Sequence, residues 1–108
     1  FIGIITNDSW WGDSPGYKQH WSFARLRAIE TRRSIARSAN TGLSGFINQR
    51  GDELIKSEYL TPDCLRQEIR CNNEITFYTK YGDVIGKIGL GLAIMILLNL
   101  IVKKLTNK

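Results

Sequence analysis

Phe1-Ile2-Gly3-Ile4-Ile5-Thr6 runs straight into Asn7-Asp8-Ser9-Trp10-Trp11-Gly12-Asp13, and that junction decides the fold. The first six residues are apolar and β-branched with no polar alternation, the pattern of a strand buried on both faces. Asn7-Asp8-Ser9 breaks the run, and Gly12, Pro15 and Gly16 make the following stretch a loop. Trp10, Trp11 and Tyr17 crowd this loop and must pack on core, partner or ligand. A buried strand with no leader before Phe1 predicts that the chain is a piece of a longer one.

Outward from the loop, Lys18 to Arg33 holds good helix formers and neither Gly nor Pro, which predicts a helix. Trp21, Ala24 and Ala28 share a face, while Phe23, Leu26 and Ile29 spread around the axis. Such a helix packs against more than one layer. Glu30 is three residues from both Arg27 and Arg33 and is placed to pair with either. Ser34 to Ala39 reads as a strand, Asn40-Thr41-Gly42 as a turn and Leu43 to Asn48 as a second strand. Gln49-Arg50-Gly51-Asp52 then turns into Glu53 to Ser57. Past Thr61-Pro62, Leu65 to Ile69 alternates as a half-exposed strand would, and Glu74 to Tyr81 reads as aromatic and extended. Helix flanked by strands indicates α/β layering.

Val84 to Val102 carries one charge, Lys87, and one amide, Asn99. As a helix it would reach about 28 Å, against a hydrocarbon thickness of about 30 Å. Lys87 lies near its start, where its stem reaches the headgroups. Gly86, Gly89 and Gly91 would let neighbouring helices approach closely. The residues thus predict a globular part over 1–82, a transmembrane helix over 83–103 and a tail over 104–108. Lys103, Lys104 and Lys108 follow the span, so the positive-inside rule makes the carboxyl end cytoplasmic. The globular part would face the periplasm from a bacterial inner membrane.

The chain has 15 Lys and Arg against 10 Asp and Glu, a net charge of +5. Four lysines flank the apolar tail, which points to an anionic membrane surface. Arg25, Arg27, Arg32, Arg33 and Arg37 are interleaved with apolar residues rather than forming a basic stripe. With no zinc-finger spacing, RNP-like strand or basic zipper, no nucleic acid partner is expected. Cys64 and Cys71 match no zinc or redox spacing, and the single His20 lies far from both, so no metal or cofactor is expected. In an oxidising compartment the two could pair; the residues favour two ordinary cysteines on neighbouring strands or loops and leave their state open.

Several motifs, read in order, resemble the second half of a nitrilase-type domain. They are Asn7-Asp8-Ser9-Trp10-Trp11-Gly12-Asp13, Gln19-His20, Ala24-Arg25, Arg27-Ala28-Ile29-Glu30, Arg37-Ser38-Ala39-Asn40-Thr41-Gly42 and Gly51-Asp52-Glu53. Their form is most similar to the apolipoprotein N-acyltransferases, as is Thr76-Phe77-Tyr78-Thr79-Lys80-Tyr81-Gly82-Asp83 leading directly into a span. The resemblance covers nearly the whole chain. It implies an α/β fold, part of a nitrilase-type αββα sandwich followed by one transmembrane helix.

The resemblance also implies an enzyme that takes an acyl chain from a phospholipid donor. A Cys thiolate attacks the acyl ester and forms a thioester, and the α-amine of a diacylglyceryl apolipoprotein acceptor then takes the acyl group. A Glu moves protons, and a Lys with a backbone amide stabilises the oxyanion. In the family the Cys lies upstream of the strand before the Asn-Asp-aromatic loop. Cys64 and Cys71 match no nucleophile position, so no catalytic residue is carried over and this chain alone is expected to be inactive. Asn7, Asp8, Trp10 and Trp11 match the segment bordering the active-site cleft and are the candidate substrate-binding residues. Arg27, Glu30, Arg37 and Asn40 read as structural. Two rivals are a non-catalytic, membrane-anchored nitrilase-like binding domain and a fragment of a soluble carbon–nitrogen hydrolase; the apolar tail argues against the second.

Overall fold

The computed structural model describes residues Phe1–Asn107. These divide into two compact units, Phe1–Thr76 and the segment from Phe77 on. In the first unit, β1 (Ile2–Thr6), α1 (Gly16–Thr31), β2 (Ile35–Ala39), β3 (Gly45–Ile47) and β4 (Glu53–Lys56) follow in chain order. They form one four-stranded sheet, ordered β1-β2-β3-β4. β1 and β2 are parallel, with Ile2 opposite Ile35 and Ile4 opposite Arg37. The two following pairs are antiparallel, and the β3–β4 ladder slips at Phe46/Ile47. A parallel pair needs a crossover, and α1 supplies it.

α1 covers one face of this sheet. Tyr17, Trp21, Ala24 and Ala28 are buried along it and meet Ile35, Leu43 and Ile47, with Ile2 and Ile4 packed at the margin. Two alanines on the contact stripe let the helix backbone lie close to the strands. Among the described residues of this unit, one helix layer on one sheet is the α/β half-arrangement of a nitrilase-type αββα sandwich. The second apolar face of α1 stays open, with Phe23, Leu26 and Ile29 exposed. Arg27 pairs with Glu30 at 2.6 Å, as their spacing predicts.

Three local expectations change. Among the described residues β1 is not buried on both faces: α1 covers its Ile2/Ile4 side, and Ile5 on the other is 93% exposed. Leu65 to Ile69 forms no strand: Leu65 and Ile69 are half-buried, but the segment is not paired into the β1-β2-β3-β4 sheet. This part of the chain is tacked down by single bonds instead. Ser34 Oγ donates to Arg70 O (2.8 Å), Asn72 Nδ2 to Arg32 O (3.0 Å) and Thr76 Oγ1 to Glu30 O (2.5 Å). Finally, Phe77 to Tyr81 is a short helix, α2, rather than extended.

In the second unit α3 covers Val84–Thr106, 23 residues with none buried. At 1.5 Å per residue it is about 34 Å long, sufficient to cross a bilayer.

Candidate functional site

The loop between β1 and α1 leaves the carboxyl end of a parallel strand, the edge where open α/β sheets place their ligands. Asn7 is exposed, and its Oδ1 accepts from Ser9 N (3.1 Å) and Ser9 Oγ (2.7 Å), an Asx turn that starts a single 3-10 turn over Ser9–Trp11. That turn throws Trp10 outward, 84% exposed, and lays Trp11 back against α1, 44% exposed. The Trp11 ring meets the His20 ring edge-on, with centroids 5.3 Å apart. Gly16 is required here: a Cβ on it would stand 2.6 Å from Trp11 Cγ.

Beneath the loop Asp8 is completely buried. Its Oδ2 accepts from Arg37 Nη2 at 2.7 Å, and its Oδ1 accepts from Thr6 Oγ1 at 3.1 Å. His20 Nδ1 lies 2.9 Å from the same Oδ1 and 3.2 Å from Arg37 Nη2, which places the imidazole edge on the ion pair. Arg37, also buried, donates further from Nε to Leu43 O at 3.0 Å. The network therefore ties the end of β1, the second turn of α1, β2 and the turn after β2 to one carboxylate. Gly42 in that turn leaves space that a Cβ would take from the Asp8 carboxylate. Burial pushes the Asp8 carboxyl up, but the His20 bond, the Arg37 charge and the Arg37 and Thr6 bonds outweigh it. Its pKa lies below the ordinary carboxylate value, so it is ionised at neutral pH.

A second clasp holds the far side of the loop. Tyr59 Oη donates to Gly12 O at 2.8 Å, and its ring stacks on Tyr17 at 3.9 Å between centroids. Burial and the nearby Asp13 charge push the Tyr59 phenol up, so it remains a donor. A polar cleft of about 340 Å³ opens beside the turn after β2, lined by Ser38, Asn40, Thr41, Gly42, Ser57 and Asp63 among others.

The structure thus brings Asn7, Asp8, Trp10 and Trp11 into one loop with Asp8 facing inward and Trp10 outward. Cys64 and Cys71 are exposed free thiols and take no part in the network. Among the described residues no group of three or more His, Cys, Asp or Glu is arranged to hold a metal. The sequence did not single out His20 and Tyr59 as clasps, because each meets the loop through the fold: His20 is 12 residues from Asp8, and Tyr59 is 47 from Gly12.

The chain is 36% identical over 104 residues, 96% of its length, to the apolipoprotein N-acyltransferase of Chlorobaculum tepidum. The chain belongs to the apolipoprotein N-acyltransferase family. It is also 37% identical over 105 residues, 94% of the chain, to apolipoprotein N-acyltransferase 2 of Leptospira interrogans. To the apolipoprotein N-acyltransferase of Allorhizobium ampelinum it is 55% identical over 47 residues, 44% of the chain. These matches take in 20%, 18% and 9% of the respective relatives, so the chain spans about a fifth or less of the proteins it matches. No protein-family model matches the chain. Family membership and the observed layering agree: the sheet, its single helix layer and the long apolar helix are parts of the nitrilase-type architecture followed by a membrane-length helix.

Proposed function

We propose that this chain supplies the substrate-cleft loop and the following membrane helix of an apolipoprotein N-acyltransferase. The reaction is transfer of an acyl chain from phospholipid, through a Cys thioester, to the α-amine of a diacylglyceryl apolipoprotein. The observation that carries the reading is the loop geometry in a chain of this family: an outward indole held over a fully buried, doubly clamped carboxylate.

Asn7, Asp8, Trp10 and Trp11 border the substrate in this reading, with different tasks. Trp10 offers a large apolar surface with one N–H handle, suited to the level where acyl chains meet headgroups. Trp11 fixes its direction. Asp8 acts from below, holding the loop base on Arg37 and His20 rather than touching lipid. The Glu, Lys and Cys of the family's chemistry have no counterpart among these residues, so the chain by itself has no covalent route. The globular part, over 1–82, lies on the periplasmic side of the inner membrane, the span runs over 83–103 and the tail over 104–108 is cytoplasmic.

A chimera tests this. The matching segment of the Chlorobaculum tepidum relative is replaced by the 104 aligned residues of this chain, and N-acylation of a lipoprotein is followed by mass. The chimera should acylate, while the chain alone should form no thioester with phospholipid at Cys64 or Cys71. A stably folded, membrane-inserted chimera with no acylation would refute the reading, as would a thioester on the isolated chain.

A further inference from the structure

We propose that Phe77 to Lys87 is a phospholipid-headgroup foot that seats α3 in the bilayer. The Phe77 and Tyr81 rings lie at the acyl boundary, and the Lys80 and Lys87 ammoniums bind lipid phosphate. The proposal rests on the reading of α3 as a membrane span.

α2 places Phe77 and Tyr81 four residues apart on one stripe, with ring centroids 4.8 Å apart. The residues are 66% and 48% exposed, and Tyr78 beside them is also exposed. Three aromatics in a five-residue helix with none buried suit neither water nor a core. They suit the membrane–water interface, where amphipathic rings concentrate. That interface is adjacent in the chain, for only Gly82 and Asp83 separate α2 from the first residue of α3.

The joint between the two helices is built, and its charges are arranged. Gly82, at φ 71, closes α2 by donating its N–H to Tyr78 O at 2.7 Å. Asp83, the one acidic residue from Phe77 to the end of the sequence, caps α3 by accepting from Gly86 N at 2.8 Å. Gly86 without a Cβ leaves room for that carboxylate. Lys87 sits in the first turn of α3, where the helix dipole disfavours a cation. Its Nζ reaches back instead to Tyr81 O at 2.8 Å, on the last residue of α2. That bond uses one of three N–H donors and holds the ammonium beside the Tyr81 carbonyl. Lys80 Nζ lies 5.2 Å from the Tyr81 ring centroid on the same short helix. A carbonyl and a ring face orient these two cations without neutralising them. A phosphate diester does both, and a bilayer supplies it at the depth where α3 begins.

The test uses the full chain with 3-fluorotyrosine at its tyrosines, in vesicles of phosphatidylethanolamine and phosphatidylglycerol. Fluorine relaxation is read with a gadolinium chelate carried on a lipid headgroup and, separately, with one dissolved in water. Soluble peptides carrying 3-fluorotyrosine, in the same sample, serve as hydrated references for Tyr78 and Tyr81. The headgroup chelate should broaden Tyr78 and Tyr81 several-fold more than the references, and the dissolved chelate should broaden them less. Lys80→Gln with Lys87→Gln should lower the headgroup broadening at Tyr81 by about twofold or more. Protease protection of α3 in the same vesicles is measured by mass. If α3 is protected but Tyr78 and Tyr81 behave like freely hydrated residues, or the double variant changes nothing, the foot is overturned and the span stands. If α3 is digested along its length, both fall.

Discussion

α1 and α3 are both helices with apolar residues on several sides, and they meet opposite fates. α1 gives four residues to a core against the sheet. α3, longer and more apolar, has no buried residue among those described. The difference lies in what interrupts the apolar residues. In α1, Lys18, Arg25, Arg27 and Glu30 alternate with Trp21, Ala24 and Ala28, so one stripe packs on protein while the rest meets water. Between Ile88 and Val102 the only polar side chain is Asn99, so no water-facing stripe exists. The lesson is that a helix apolar all round asks for a different solvent, whereas one apolar on two sides asks for protein on two sides.

The largest effect should come from putting charge where α3 has none. Leu92→Asp with Ile96→Asp places two carboxylates near the helix centre, each costing about 2.5–3.5 kcal/mol on the insertion scale. The wild-type chain should stay with membranes through alkaline carbonate extraction and the double variant should be released. The same pair of aspartates at Phe23 and Leu26, on the open face of α1, should leave fractionation unchanged. A wild-type chain soluble and monomeric without detergent would remove the contrast altogether.

The next largest concerns the first unit's own interior charge. Arg37→Met leaves the Asp8 carboxylate buried without its cation, a change that costs about 3–5 kcal/mol. Urea unfolding of the chain in detergent, read from the buried Trp21, measures it. The sign with pH follows from Asp8. Its folded pKa lies below its ordinary value, so its contribution is complete above the ordinary carboxylate range and is lost as pH falls through the folded value. Wild-type stability should therefore fall on acidification. In Arg37→Met that fall should flatten, because burial without the arginine pushes the carboxyl back up. An equal acid loss in both proteins would show that another group carries it.

Much of this was legible in residue order, and the rest failed for identifiable reasons. The α1 stripe, the hairpin turns and the apolar span all follow from local periodicity. The two faces of β1 did not, because an all-apolar run does not say which of its faces a helix layer covers. Leu65 to Ile69 alternates in type but has no strand beside it to pair with, and bonds to Ser34, Arg32 and Glu30 tie down residues that follow it. At the site the motif marked Asp8, Trp10 and Trp11. That Asp8 points inward and Trp10 outward came from a 29-residue separation closed by the fold, the Asp8–Arg37 pair.

The smallest effect on stability, and the most telling for function, separates the two indoles of one loop. Trp10 is largely exposed, so Trp10→Ala should change stability by no more than about 0.5 kcal/mol. Trp11 packs edge-on against His20 and over Gly16, so Trp11→Ala should cost about 1–2 kcal/mol. In the acylating chimera the order should reverse. A large apolar side chain that is buried only against lipid contributes about 1.5–3 kcal/mol, so Trp10→Ala should lower kcat/KM roughly ten- to a hundred-fold at native stability. Trp10→Phe should recover most of that loss, since the ring area rather than the N–H carries the contact. The loss in Trp11→Ala should track its loss of folded protein and shrink when temperature is lowered. If Trp10→Ala keeps full activity, the outward ring is not a lipid contact, and the loop serves only to close β1 onto α1 through Asp8.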